Sequence, residues 1–240
     1  MSKINLCVIA TAKYKQFLPQ FLESAERFFL KGHDVHYCIF TDYKGGILNA
    51  EMSGKATIFP IEHRPWPYPT LHRFHFFLEH KGNLPQADFF YYCDVDSRFV
   101  APIGDEILGN LTAVQHCGYC DGQNLPFETN EKSTAYVPKE EQVEYFGGGF
   151  WGFESSRFWN VASWGAAAID IDEANGIVPV WHDESILNKF LSLMPPTVKL
   201  SPSYHWPQNN PHIWNKWAKQ GLNFECKILL LDKKHDEIRK

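Results

Sequence analysis

Residues 87–93 read Ala-Asp-Phe-Phe-Tyr-Tyr-Cys, a near-continuous apolar run that stops abruptly at Asp94-Val95-Asp96. A strand that is apolar on both faces has to be covered on both faces, as in a parallel sheet packed between helices. The preceding sequence supplies its neighbours. Lys3–Ala10 is a second apolar run, followed by a helical pattern over about Phe17–Leu30 with Phe17, Phe21, Leu22, Ala25, Phe28 and Phe29 at helical spacing. Pro19 suits the first turn of that helix and Gly32 its end. Asp34–Thr41 alternates as a strand, Ala56–Ile61 reads as another, and Pro69–Gly82 reads as a helix turning Leu71, Phe74, Phe77 and Leu78 inward. Alternation of this kind predicts an α/β fold around a central mixed, mainly parallel sheet. Ligands of such sheets sit beyond the carboxyl ends of the strands, where the acidic pair falls.

The second half is less regular. Leu111–Gln115 and Phe150–Phe153 read as short strands, Phe158–Ile171 and Glu184–Leu193 as helices, and Phe224–Leu231 as a last strand. Between Pro195 and Phe224 the chain is rich in Pro, Asn, Trp and His, and no element is read there. No repeat or linker interrupts the 240 residues, so one domain is expected.

Composition excludes some partners. A formal net charge of −5 leaves no broad basic face for nucleic acid. The N-terminal apolar run is too short to span a membrane and lacks a secretory cleavage site, so a soluble, cytoplasmic protein without a membrane anchor is expected. The scattered cysteines read as free thiols. Cys117-Gly-Tyr-Cys120 has zinc-knuckle spacing beside His116, but a structural zinc takes four ligands and no second pair is visible.

Five features could carry chemistry. Asp94 and Asp96, at i and i+2 after a strand, can both reach one hard divalent cation that keeps positions open for phosphate oxygens; the alternative is a solvated loop. Arg73 is either a surface helix arginine or a clamp on that pair or on a diphosphate. Trp181-His182-Asp183-Glu184-Ser185 suits a helix N-terminus, but it also has the composition of a sugar pocket, an aromatic face beside carboxylates. Gly147-Gly148-Gly149 is by default a flexible turn; functionally, it leaves room for a bulky ligand against the backbone. Lys233, Lys234, His235 and Arg239 form either a solvated tail or a lid that brings cations over a diphosphate.

Taken together, these motifs resemble glycosyltransferase family 6, the retaining α-1,3-galactosyl- and N-acetylgalactosaminyltransferases that include the ABO blood-group enzymes, in a soluble microbial form. The resemblance rests on Phe-Leu-Glu-Ser-Ala-Glu-Arg-Phe-Phe (21–29), Phe-Thr-Asp (40–42), Cys-Asp-Val-Asp (93–96), Ser-Thr-Ala-Tyr-Val-Pro-Lys (133–139), Glu-Ala-Asn-Gly-Ile (173–177) and Trp-His-Asp-Glu-Ser (181–185). It implies a Rossmann-like GT-A fold and transfer from a UDP-sugar to an oligosaccharide acceptor, with a nucleotide-binding part over about 1–100, an acceptor-binding part over about 101–231 and a basic tail over 232–240. Asp94 and Asp96 would bind Mn²⁺ (or Mg²⁺), with Val95 between them at the donor. Ile9, Ala10, Thr11 and Tyr14 would contact the uridine. Arg73, His182 and Asp183 would contact the donor, and Lys233 and Arg239 would close over the diphosphate. His116 and Trp181 would meet the acceptor, and Glu184 would be the catalytic carboxylate, also facing the acceptor. Gly147, Gly148 and Gly149 would set donor preference, and Gly149 leans it toward UDP-GalNAc over UDP-Gal. At Tyr204-His205-Trp206-Pro207 the sequence departs from the family, since Pro207 stands where an acidic acceptor contact often lies. A sugar-binding lectin without turnover and a divalent-metal phosphohydrolase are the competing functions.

Overall fold

Alternating burial along each apolar run sets which face of the sheet a side chain serves. In the computed structural model, which describes residues 1–43 and 54–238, strand β1 (Lys3–Ile9) sends Ile4, Leu6 and Val8 to one face and Cys7 and Ile9 to the other. Strand β4 (Phe89–Cys93) likewise divides Tyr91 and Cys93 from Phe90 and Tyr92. Both faces are therefore apolar, as the sequence implies, and each requires its own cover.

The central sheet also contains β2 (Asp34–Thr41), β3 (Ala56–Pro60), β6 (Leu111–Gln115), β7 (Phe146–Glu154) and β8 (Val198–Leu200), in the order β3-β2-β1-β4-β7-β6-β8. β3, β2, β1 and β4 run parallel, β7 is antiparallel to both β4 and β6, and β8 is parallel to β6. The expected mixed, mainly parallel α/β sheet is present. Helix α1 (Leu18–Phe28) packs Leu18, Phe21, Leu22 and Ala25 on one face. The other is covered by α3 (Arg73–Glu79), α4 (Ser155–Ala174) and α5 (Asp183–Leu193), through Phe74, Phe77, Phe158, Ile169, Ile186 and Leu187. From β1 the chain moves outward to β2 and β3, then returns to place β4 on the other side of β1. Such a reversal opens a crevice at the carboxyl ends of the two central strands.

A second, three-stranded sheet holds β5 (Ser97–Phe99), β9 (Trp206–Pro207) and β10 (Ile228–Leu230), ordered β5-β10-β9. The other α-helices of the described residues are α2 (Tyr68–Leu71), α6 (Pro211–Lys219) and α7 (His235–Ile238). Among the described residues no helix is long and apolar enough to cross a membrane.

Several expectations are corrected. The helix read over Pro69–Gly82 is broken at His72, whose ring is anchored to Glu173 of α4 at 2.9 Å and to Arg64 at 2.6 Å while its backbone leaves helical geometry. The end of α1 is shaped by Leu30, at φ 43°, not by Gly32; Phe29 leaves the helix to bridge Ile103, and Leu30 is fully buried. Packing stabilises a conformation that a leucine would otherwise avoid. Gly147-Gly148-Gly149 is strand interior, because β7 begins at Phe146, four residues before the strand read from Phe150. The last strand is only Ile228–Leu230, and α6, β8 and β9 occupy the stretch read as irregular.

Gly152 of β7 lies opposite Tyr91 of β4, and a Cβ there would fall 2.0 Å from the Tyr91 ring. That ring is stacked on Phe150 and edge-on to Phe29, so it has little room to move. Gly152→Ala is expected to destabilise the fold by about 1–3 kcal/mol through overpacking, read as a lower urea midpoint with an unchanged denaturant slope.

Candidate active site

β1 and β4 end side by side, and a cavity of about 180 Å³ opens beyond them. Ile9 and Thr11 line it from the end of β1, Tyr14 from the turn that follows, and Asp94, Val95 and Asp96 from the end of β4. Lys233 and Ile238 approach from the C-terminal segment, and His63, Trp66, Pro69 and Thr70 from the chain before α3. Ala10 lies behind this wall, fully buried, donating its N–H to Phe40 and accepting from the Thr41 hydroxyl. Arg239 lies outside the described residues.

Strand register explains how Lys233 reaches the acidic pair. β10 pairs antiparallel with β5, Leu230 opposite Ser97, and the Leu231 N–H then donates to the Asp96 carbonyl at 2.8 Å. Two residues on, the Lys233 ammonium pairs with the Asp96 carboxylate and lies 5.2 Å from the centre of the Tyr14 ring. The tail is folded over the cavity at this point, with Lys13 donating to the Glu237 carbonyl at 2.7 Å.

Asp94 joins the cavity to a second polar centre. Its Oδ1 accepts from the Tyr92 hydroxyl at 2.6 Å and from Arg73 Nη2 at 3.4 Å. Arg73 is not a surface arginine: it is 2% exposed, with its guanidinium 3.8 Å over the Tyr92 ring. Its Nη1 donates to the Gly148 carbonyl at 2.7 Å, and its Nε lies 3.0 Å from Asp183 Oδ2 as an ion pair without hydrogen-bond alignment. Burial alone would lower the arginine pKa, but Asp183, Tyr92, Asp94 and Glu184 outweigh it and the net shift is upward.

Asp183 and Glu184 open α5, where acidic side chains meet the positive end of the helix. Glu184 Oε2 accepts the Gly148 N–H at 2.7 Å, and Oε1 accepts the Tyr145 hydroxyl at 2.9 Å. Asn188, one turn further along, accepts the Phe146 N–H and donates to the carbonyls of Phe146 and Glu184. It fastens the start of α5 to the edge of β7 much as a neighbouring strand would. Burial, reinforced by the charge of Asp94, pushes both acids up to about 7; Arg73 opposes the shift at each, and at Glu184 so do Gly148 and Tyr145.

The glycine run is the floor between these groups. A Cβ on Gly148 would fall 3.1 Å from Glu184 Cβ, and one on Gly149 would fall 3.1 Å from Asp94 Oδ2 and 3.4 Å from His205 Nε2. The His116 ring packs against Tyr119, Tyr145 and His205, and burial lowers its pKa to about 4. Trp181 remains 47% exposed with its N–H on the Ser185 hydroxyl. His182 adopts φ 55° and sets its ring 5.2 Å from Trp66 of the cavity wall.

Sequence reasoning missed Tyr92, Tyr145, Asn188 and His205. Tyr92 had a signal, since it sits two residues before Asp94 on one face of the same strand. The others come from segments whose elements were unread or whose partners lie far along the chain. Zinc-knuckle spacing does not gather a zinc set: Cys117 comes near His116 and His205, with the ligand atoms within 4.8 Å of one another. However, His116 Nδ1 accepts the Gly118 N–H, which uses the one lone pair of the neutral ring and leaves none for a metal.

The sequence model of glycosyltransferase family 6 matches residues 2–239. The chain belongs to glycosyltransferase family 6. Among similar proteins, globoside alpha-1,3-N-acetylgalactosaminyltransferase 1 of Homo sapiens is 35% identical over 215 residues, 87% of this chain and 62% of its own length. Histo-blood group ABO system transferase 1 of Rattus norvegicus is 35% identical over 212 residues, 85% of this chain and 61% of its own length. O-antigen biosynthesis glycosyltransferase WbnI of Escherichia coli is 27% identical over 241 residues, 97% of this chain and 96% of its own length. The chain thus spans less than two thirds of the two animal relatives. The family's fold is of the GT-A type, and the mixed sheet with its site beyond β1 and β4 fits it.

In this family member the carboxylates couple the site to pH. Glu184 holds its proton up to about pH 7 in the folded chain, against an ordinary 4.5 when unfolded. Between those values the folded state binds more protons, so stability is fullest near the lower one and falls as pH rises through the higher. The ligand-free chain is expected to melt a few degrees lower at pH 8 than at pH 5.5, and Glu184→Gln to flatten that slope in thermal scans across the range.

Proposed function

We propose that this chain is a retaining hexosyltransferase that moves GalNAc, or Gal, from a UDP-sugar to a galactoside hydroxyl in α-1,3 linkage, dependent on Mn²⁺ (or Mg²⁺). The observation that carries the reading is Asp94, which shares one network with the cavity, with Arg73 and, through Gly148, with Glu184. A donor spanning from cavity to carboxylate centre would have its diphosphate at the acidic pair and its sugar over the glycine run. One catalytic domain suffices for both parts. The names of the relatives, an N-acetylgalactosaminyltransferase and an ABO transferase, support the same linkage chemistry.

The donor set suits a hard divalent cation. Asp94, Asp96, Asp183 and Glu184 outnumber Arg73 and Lys233 around the centre, and Asp94 Oδ2 has no hydrogen-bond donor among the described residues. Asp94 and Asp96 would hold Mn²⁺ (or Mg²⁺), whose positive charge would offset that of a diphosphate leaving group. Arg73 keeps Asp94 ionised and aimed, and Lys233 adds positive charge on the diphosphate side. Ile9, Thr11 and Tyr14 would hold the uracil, and Trp181 with His116 the acceptor. Transfer breaks the bond between C1 and the diphosphate oxygen and forms one from C1 to the acceptor oxygen, whose proton passes to the leaving phosphate. When ionised, Glu184 has both oxygens occupied as hydrogen-bond acceptors, which favours a held charge beside the oxocarbenium-like transition state over attack on C1.

UDP release is the test, with UDP-GalNAc, UDP-Gal, UDP-Glc and UDP-GlcNAc offered to plain and fucosylated galactosides, with Mn²⁺ or EDTA. Acceptor-dependent release fastest with UDP-GalNAc, and lost in EDTA, is expected. No release would leave a lectin, and release as free sugar alone would leave a hydrolase. Asp94→Ala and Asp96→Ala should each cost ~10³-fold in turnover, and Glu184→Gln a comparable amount with UDP binding kept. Full activity of any of the three removes its residue from the mechanism. Gly149→Ala should shift the GalNAc-to-Gal ratio ~10-fold toward Gal, because its methyl enters the space beside Asp94.

A further inference from the structure

His205 follows a short 3₁₀ turn, Pro202–Tyr204, that leads out of β8, and its N–H closes that turn on the Pro202 carbonyl at 3.0 Å. The side chain is 7% exposed and lies flat against the glycine run. A Cβ added to Gly147 would meet Nε2, Cε1 and Cδ2 of the ring at 2.9–3.1 Å, and one added to Gly149 would meet Nε2 at 3.4 Å. The imidazole therefore fills the volume that a side chain at 147 would occupy. On its other flank lies the His116 ring, 5.0 Å away centre to centre.

The ring has polar capacity that the protein leaves unused. His205 Nδ1 is buried with no hydrogen-bond partner among the described residues. A buried polar atom left unmatched is costly, so natural sites keep one where a water or a ligand satisfies it. Packing alone does not call for histidine here, since leucine fills a similar volume without that cost. A metal does not explain it either, because the neighbouring His116 has no lone pair to share. What remains is a hydrogen-bonding ring set into the wall, with Asp94 across the space beside Gly149 and the His116 ring on its other flank.

We propose that His205 is a sugar-reading residue: its imidazole hydrogen-bonds a hydroxyl or acetamido group of a bound sugar, and Gly147 is glycine to admit that ring. This inference rests on the transferase reading above and adds a specificity determinant to it. The group it reads belongs either to the donor sugar or to the acceptor, and the two are told apart by which KM changes.

The test compares His205→Leu, His205→Gln, Gly147→Ala and the pair Gly147→Ala/His205→Ala, each scored for UDP binding by calorimetry and for KM and kcat toward donor and acceptor. His205→Leu should raise the KM of one substrate ~10-fold or more while UDP binds as before, and His205→Gln should recover part of that loss. Gly147→Ala should lower kcat/KM by pressing on the ring, and in the double variant it should add little to the loss that removing the ring already causes. Unchanged KM values for both substrates in His205→Leu would overturn the proposal. If His205→Leu does not fold, unchanged values in His205→Gln together with a Gly147→Ala variant as active as the parent would do so. Absence of any UDP release by the unaltered chain would instead overturn the transferase reading, and this inference with it.

Discussion

Arg73 carries a full positive charge with only 2% of its side chain exposed, and Asp94, Asp183 and the glycine run of the candidate site are arranged around it. A charge that deep is tolerated because Asp94, Asp183 and the Gly148 carbonyl surround it and the Tyr92 ring lies beneath it. Removing one partner of such a set costs about 3–5 kcal/mol, since the remaining charges stay buried and uncompensated. Without Arg73 the carboxylates of Asp94 and Asp183 would face one another with nothing between them. The guanidinium thus joins three separate pieces of chain: the end of β4, the middle of β7 and the start of α5.

That junction also accounts for the behaviour of the two acids on α5. A helix N-terminus and an arginine both favour ionised carboxylates, yet Asp183 and Glu184 are held near pH 7. Burial outweighs the stabilising neighbours, and Asp94 adds like charge. The site therefore holds more acidic groups than its own cations keep ionised, a surplus that a cationic ligand would offset. Asn188 keeps that surplus in place, because its three hydrogen bonds fix the first turn of α5 against Phe146. Electrostatic preorganisation of this sort needs a rigid frame, and here the frame is a side-chain amide standing in for a strand.

What the sequence reveals follows from periodicity. β1, β2, β3, β4, β6 and α1 are legible because each buries an uninterrupted face, so period 2 or 3.6 shows directly. Asp94, Asp96, Arg73, Asp183 and Glu184 are nameable because they sit at the ends of such elements or within compact motifs. Legibility fails where structure depends on partners distant in sequence. The glycine run reads as a turn, since nothing in Gly-Gly-Gly shows that β4 and β6 flank it and hold it extended. His205 is invisible for the same reason: the glycines it packs on lie nearly sixty residues earlier, and the turn that presents it has no period.

The C-terminal segment shows how little of a site's electrostatics follows from charge alone. Lys233, Lys234, His235 and Arg239 look equivalent in sequence, and a basic tail would be expected to hover near an acidic cleft in no fixed pose. The pairing of β10 with β5 makes Lys233 and Lys234 unequal. Leu230 opposite Ser97, and the Leu231 N–H on the Asp96 carbonyl, set the register in which position 233 meets the acidic pair. Lys234 instead pairs with Glu237 and stays largely exposed. Because side chains alternate along an extended chain, slipping this register by one residue would turn position 233 to the opposite side and carry its ammonium away from Asp96. The cation beside the acidic pair is thus placed by backbone hydrogen bonds of a three-residue strand, and its charge then acts at a position already fixed.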